Sequence, residues 1–101
     1  MYGLSEKAIG LIRGVFAKHP QIEQVILYGS RAKGNYRNGS DIDLVLVGPG
    51  LDLSQLFKIE LELDDLMLPY KIDLSAYHKI ENQELIGHID RVGLIFFERL
   101  E

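Results

Sequence analysis

The sequence predicts an α/β (α+β) protein with a small mixed β-sheet of about four strands and helices packed on it. In some segments apolar residues recur every three or four positions, as in amphipathic helices. Other segments alternate in polarity or form short β-branched runs, as in strands. The two kinds of segment follow each other along a chain of 101 residues, which is the size of one small domain. We therefore expect a single domain over residues 1–101.

Charge and composition exclude several classes of protein. The chain lacks cysteine, which rules out disulfides and thiolate chemistry. The net charge of −4 argues against broad binding to a nucleic-acid backbone. Basic residues are concentrated in the first half, because residues 1–50 carry six Lys/Arg and four Asp/Glu, whereas residues 51–101 carry five and eleven. No apolar run reaches the roughly 20 residues of a membrane span, and the N-terminus lacks a signal-peptide pattern, so we expect a cytoplasmic protein.

The first half predicts one helix and two strands. A helix follows Ser5, a suitable N-cap, and ends before Pro20. Residues 25–28 and 42–47 are β-favouring runs, each followed by glycine. Residues 29–40 between them are too polar for the core and read as a loop. The apolar positions of the helix are Ala8, Leu11, Ile12, Val15 and Phe16.

The second half predicts a helix, a strand, a short helix and a last strand. The first helix begins at residue 52 or 54 and ends at about Leu68, before Pro69. Residues 70–77 alternate, with Asp73 on the polar side and Leu74 on the apolar side. Residues 82–92 form the short helix, and Gly93 separates it from the strand at residues 94–97. We expect the apolar residues near the C-terminus to lie in the core: Ile95, Phe96, Phe97 and Leu100.

Paired carboxylates point to metal-assisted chemistry. Asp41 and Asp43 stand two residues apart at the start of a strand, so both side chains project to one side. Two adjacent carboxylates with no His or Cys nearby suit a hard cation such as Mg²⁺. Asp73 completes the group if its strand is the neighbour. Three carboxylates can hold two ions about 3.5–4 Å apart, the arrangement that assists displacement at phosphorus.

A Gly-Ser pair supplies the complementary part of the motif. Gly29 permits a tight turn with close backbone approach, and Ser30 can hydrogen-bond phosphate oxygens if a helical turn begins there. Arg31 and Lys33, with Arg37, add positive charge that suits a leaving pyrophosphate. Each piece alone is more often a plain turn, a solvated strand edge or a surface charge. Their joint occurrence, ten residues apart and flanked by strands, favours a phosphate site.

Residues 27–44, together with Asp73, resemble the signature of the DNA polymerase β-like nucleotidyltransferase superfamily. Within it, the chain looks like the minimal nucleotidyltransferases of prokaryotes, the MntA-like antitoxins paired with HEPN-domain toxins. The resemblance implies the superfamily's fold, with Asp41 and Asp43 as ligands of two Mg²⁺ ions and Asp73 near the attacking hydroxyl. It also implies that Gly29 and Ser30 hold the triphosphate of ATP.

The activity implied by this resemblance is transfer of AMP from ATP to a hydroxyl, with a tyrosine of a cognate HEPN toxin as acceptor. One alternative is a binding subunit that neutralises its partner by covering it. Another is an enzyme that modifies a small molecule such as an aminoglycoside, although 101 residues leave little surface for an acceptor pocket. The sequence leaves open whether the protein forms a homodimer. We expect the remaining candidates to be surface or helix-end residues: His19, His78, His88 and the loop residue Tyr36.

Overall fold

Four strands form one mixed sheet in the computed structural model, which describes residues 1–100. The elements are α1 (Glu6–Ala17), β1 (Gln24–Tyr28), α2 (Ser30–Lys33), β2 (Ile42–Val47), α3 (Leu53–Asp64), β3 (Ile72–Ala76), a 3₁₀ turn (Tyr77–Lys79), α4 (Gln83–Val92) and β4 (Leu94–Glu98). The strand order is β3-β2-β1-β4, in which β2 and β3 are parallel and β1 is antiparallel to β2 and β4. This confirms the predicted mixed sheet. None of the helices in this range has the length and apolar character of a membrane-crossing segment.

Polar side chains cap the N-termini of the three long helices. Ser5 Oγ accepts the Ala8 amide of α1 at 3.1 Å, as the sequence predicts. At α3, Asp52 accepts the Gln55 amide at 2.8 Å while the Gln55 side chain accepts the Asp52 amide at 3.1 Å. At α4, Asn82 Oδ1 accepts the Glu84 and Leu85 amides at 2.9 and 3.2 Å. Each cap satisfies backbone donors that have no partner inside the helix, worth about 1 kcal/mol apiece.

The end of α3 corrects the predicted boundary. The helix ends at Asp64 and not near Leu68. The Leu66 amide donates to Leu63 and the Met67 amide to Asp64, three residues back in each case, which tightens the chain into a turn. Met67 then adopts a left-handed conformation with φ 56°. Apolar spacing continues beyond the helix, and for this reason the periodicity alone overestimates its length.

The sheet is covered on both faces. On one face α1 and α3 pack against alternate strand residues, including Leu27, Leu44 and Leu74, in the larger apolar cluster. On the other face α4 packs on Tyr28 and Val45 in a smaller cluster. Each buried aliphatic or aromatic side chain contributes about 1.5–3 kcal/mol relative to exposure. Strand alternation therefore separates a main core from a second, partly polar face that α4 covers.

Some residues predicted for the core are exposed. Phe96 is buried, as expected, but Ile95 and Leu100 are 48% and 84% exposed. Ile95 alternates with Phe96 along a strand at the edge of the sheet, and Leu100 follows the end of β4. Leu11 is 39% exposed and Met67 85%. These last two line a surface cleft of about 360 Å³ between α1 and the turn after α3.

Candidate active site

The two predicted strand carboxylates lie side by side. β2 and β3 pair in parallel with Asp43 directly opposite Asp73. Both alternate with buried leucines, Leu44 and Leu74, so both point to the face that α4 covers. Asp41 immediately precedes β2 and is exposed. The alternation predicted for β3 is thereby confirmed, and Asp73 lies next to Asp43.

The electrostatics of this group are unfavourable for an ionised Asp43. Burial raises the pKa of its carboxyl, and the neighbouring Asp73 and Asp41 charges raise this pKa further. Tyr28 pairs with Asp43 across β1 and β2. Burial, followed by the Asp73 and Asp43 charges, likewise raises the pKa of the Tyr28 hydroxyl. The site thus concentrates negative charge around the half-buried Asp43, with Asp41 and Asp73 exposed beside it, and this favours a cationic ligand.

Gly29 connects β1 to this site. Its φ is +76°, and a Cβ placed on it would overlap the Asp43 carboxylate. A residue with a side chain would therefore be strained and would displace the carboxylate. Ser30 begins the short helix α2, and its carbonyl accepts the amides of Gly34 and Asn35 at 3.0 and 3.2 Å. The helical turn on which the phosphate hypothesis depends is present.

Arg31 supports the loop from inside the protein. It is only 3% exposed. Its Nε and Nη2 donate to the Ser40 carbonyl at 3.2 and 2.9 Å, and its Nη1 donates to the Tyr2 carbonyl at 2.9 Å. The rings of Tyr36 and Tyr70 lie 5.3 Å from its guanidinium carbon. These contacts tie the Gly-Ser turn to the residue before the first carboxylate. Arg31 therefore holds the loop together, and its expected role toward the phosphates stays a prediction.

The other basic residues of the loop are on the surface. Lys33 ends α2 with an exposed side chain, and Arg37 is exposed in the turn that follows. The Arg37 amide donates to the Ser40 hydroxyl at 2.9 Å, which closes that turn. Of the three basic residues, these two keep their charge in solvent beside the Gly-Ser turn.

The structure adds His88 to the site. It lies in α4, half-buried, with its ring against Tyr28 at 6.1 Å between centroids and an interplanar angle of 81°. It is near enough to Asp43 for its charge to lower that carboxyl's pKa, against the larger raising effects. The expectation of a surface residue is therefore wrong for His88. The helical spacing of Leu85 and Ile89 places residue 88 beside the buried stripe, which is the signal the sequence contains.

The other two histidines are away from the carboxylates. His19 follows α1 and is 8% exposed, and its Nε2 lies 2.7 Å from Glu62 Oε1. It is a helix-end residue, as expected, but a buried one. His78 is exposed in the 3₁₀ turn.

The carboxylates of the site can supply some of the ligands of a hard divalent cation. Among residues 1–100 no three acidic, His or Cys side chains converge closely enough to hold a metal ion. Mg²⁺ in nucleotide-handling proteins is usually bound by one or two carboxylates, with substrate phosphates and water as its other ligands. Asp43 and Asp73, side by side and opposite the Gly29 turn, supply that kind of set.

This fold and site define a class of protein. Strand carboxylates beside a Gly-Ser turn on a mixed sheet are the arrangement of a nucleotidyltransferase. A family model described as "Polymerase beta, Nucleotidyltransferase" matches residues 11–101, and the chain belongs to this family. A Methanocaldococcus jannaschii protein provisionally named a protein adenylyltransferase is 37% identical over 67 residues. That match covers 66% of this chain and 61% of the relative, so the chain spans less than two thirds of it.

Solved structures share the fold. A crystal structure of a toxin-antitoxin with AMP-PNP matches with a TM-score of 0.72 and 20% identity, over 95% of this chain and 75% of that one. A tri-AMPylated Shewanella oneidensis HEPN toxin in complex with MNT antitoxin matches with a TM-score of 0.69 and 16% identity, over 98% and 74%. A nucleotidyltransferase, provisionally so named, from Sulfolobus solfataricus gives 0.55 and 23%, over 96% and 92%.

Proposed function

We propose that this protein transfers AMP from ATP to a hydroxyl of another protein. The observation that carries the proposal is the pairing of Asp43 with Asp73 beside the Gly29 turn, in a chain of the nucleotidyltransferase family. Two carboxylates on neighbouring strands have a structural cost when no cation binds them, since burial and the Asp73 charge raise the pKa of the Asp43 carboxyl. Such a cost is typical of functional sites.

Different residues bind the phosphate chain, accept the proton of the attacking hydroxyl and stabilise the leaving group. The Ser30 hydroxyl and the amides of the turn hold the phosphate chain of ATP. Asp73 accepts the proton of the attacking hydroxyl. The hydroxyl oxygen forms a bond to the α-phosphorus, the bond from this phosphorus to the bridging oxygen breaks, and pyrophosphate leaves with that oxygen. Lys33 and Arg37, both exposed beside the turn, stabilise the leaving charge.

Asp43 and Asp73, and from the resemblance Asp41, would be the protein ligands of Mg²⁺. Because these three carboxylates do not converge on one ion within residues 1–100, the phosphates of the bound nucleotide would supply ligands as well. When bound, two such ions acidify the attacking hydroxyl and neutralise the pyrophosphate. The raised pKa of Asp43 supports this assignment, because a group of mutually repelling carboxylates is stabilised by a divalent cation. The remaining ligands of Mg²⁺ would come from the nucleotide phosphates and from water.

The acceptor that we propose is a tyrosine on a HEPN-domain toxin, with this chain as the antitoxin. Two observations support it. The fold is similar to a chain in the complex of a tri-AMPylated HEPN toxin with MNT antitoxin. The M. jannaschii relative carries the name of a protein adenylyltransferase.

The test uses purified protein, Mg²⁺ and a candidate HEPN toxin, with ATP labelled at the α or the γ phosphate in parallel reactions. We expect label on the toxin from the α position only. The Asp41→Asn, Asp43→Asn variant should lose transfer by at least about a thousandfold, the scale of removing transition-state electrostatics. The matched control is Asp64→Asn, Asp65→Asn, which makes the same charge change on two exposed residues at the C-terminal end of α3.

Unimpaired transfer by the Asp41→Asn, Asp43→Asn variant would refute the mechanism. Absence of transfer by the wild-type protein, combined with stable capture of the toxin, would favour the binding-subunit alternative. Cell protection separates these cases, because only a binding subunit still neutralises the toxin after the carboxylates are removed.

A further inference from the structure

Helix α4 forms one wall of the site. Its Leu85 and Ile89 pack on the face of the sheet to which Asp43 and Asp73 point. His88 lies beside these residues and contacts Tyr28, the last residue of β1. Tyr28 is paired with Asp43 and precedes the Gly29 turn, so the His88 ring lies against the residue before the turn and near the Asp43 carboxylate.

The ring nitrogens of His88 are available to a ligand. Within residues 1–100, no hydrogen bond to either nitrogen is formed, whereas His19 is paired with Glu62 at 2.7 Å. The edge-to-face contact with Tyr28, at 81°, restricts the orientation of the ring. A neutral imidazole retains one N–H donor in either tautomer, so this availability does not depend on protonation.

We propose that His88 donates a hydrogen bond from its ring N–H to the phosphate chain of the bound nucleotide. The proposal rests on the proposed function, since it requires a nucleotide at the Gly29-Ser30 turn. Within residues 1–100 no protein acceptor is bonded to the ring N–H, although the Tyr28 phenol and the Asp43 carboxylate are near it, so a phosphate oxygen of the nucleotide can accept this hydrogen bond. A donor on α4 would contact the phosphates from an element other than the turn and fix their path past Asp43.

The experiment measures binding of the magnesium complex of α,β-methylene ATP, which cannot undergo cleavage at the transferred phosphate. Calorimetry compares the wild-type protein with His88→Ala, His88→Gln and the control His78→Ala, an exposed histidine of the adjacent 3₁₀ turn. Hydrogen bonds to charged groups predict a loss of at least about tenfold in affinity for His88→Ala. His88→Gln, which keeps an N–H donor, should lose less, and His78→Ala should match the wild type.

A second readout uses the wild-type protein alone. In ¹H–¹³C spectra, the ring signal of His88 should shift on saturation with the nucleotide, while the signals of His78 and His19 stay in place. An affinity of His88→Ala within twofold of the wild type, or an unmoved His88 signal in the saturated protein, would overturn the inference. Failure of the wild-type protein to bind the nucleotide would instead overturn the proposed function, and the inference with it.

Discussion

Arg31 is a buried cation whose partners are carbonyl groups and aromatic rings. Within residues 1–100 no carboxylate lies at ion-pair distance from it. Truncation by Arg31→Ala would deprive the Ser40 and Tyr2 carbonyls of charged donors. At about 1.5–3 kcal/mol for each carbonyl, the gross loss is roughly 3–6 kcal/mol. Release of the guanidinium from its buried site offsets part of this loss, since burying a charge is costly.

The net prediction is a decrease of about 3 kcal/mol in the free energy of unfolding, equivalent to roughly 12–24 °C in Tm for a domain of this size. Urea and thermal denaturation followed by circular dichroism measure it. Arg31→Lys should recover only part of the stability, because an ammonium cannot reach both carbonyls with a planar fork. Lys33→Ala, on the same short helix but exposed, is the control and should change stability by less than about 0.5 kcal/mol.

An Arg31→Ala variant as stable as Lys33→Ala would refute the reasoning. It would mean that water replaces the guanidinium at both carbonyls without loss. Recovery of full stability by Arg31→Lys would show that charge alone matters and that the fork geometry has no role.

Two further predictions concern the carboxylates. Because burial and like charges raise the pKa of Asp43, the folded protein binds its proton more tightly than the unfolded chain. Stability from this residue is therefore present at acid pH and lost as pH rises through the folded pKa. Asp43→Asn should raise Tm at neutral pH and flatten its pH profile, and an unchanged profile would contradict this. Gly29→Ala introduces a Cβ at φ +76° against the carboxylate and should cost about 1–3 kcal/mol. Gly34→Ala, at φ +84° with open space, should cost less in the same denaturation assay.

The sequence predicts the parts of the site that depend on strand periodicity. Alternation in residues 72–76 places Asp73 opposite the core side of β3, and the spacing of Asp41 and Asp43 depends only on the pleat. The parallel pairing that joins Asp43 to Asp73 is a long-range event. It could be anticipated only from the order of the elements and the family resemblance.

The parts that could not be predicted depend on tertiary contacts. A basic residue in a polar loop is ordinarily solvated, and nothing local to Arg31 shows that Tyr2 and Tyr70 from distant segments bury it. Helical spacing shows that His88 borders the buried side of α4. It cannot show that the facing strand ends at Tyr28.

The parallel pairing of β2 and β3 links activity to the completeness of folding. Parallel strands cannot be joined by a tight turn, and here α3 forms the crossover between them. Asp73 therefore comes beside Asp43 only after the chain has crossed the sheet. A locally opened molecule in which β3 has detached from β2 would keep the Gly29 turn, but Asp73 would no longer lie beside Asp43. Nucleotidyl transfer would then be confined to the fully folded chain.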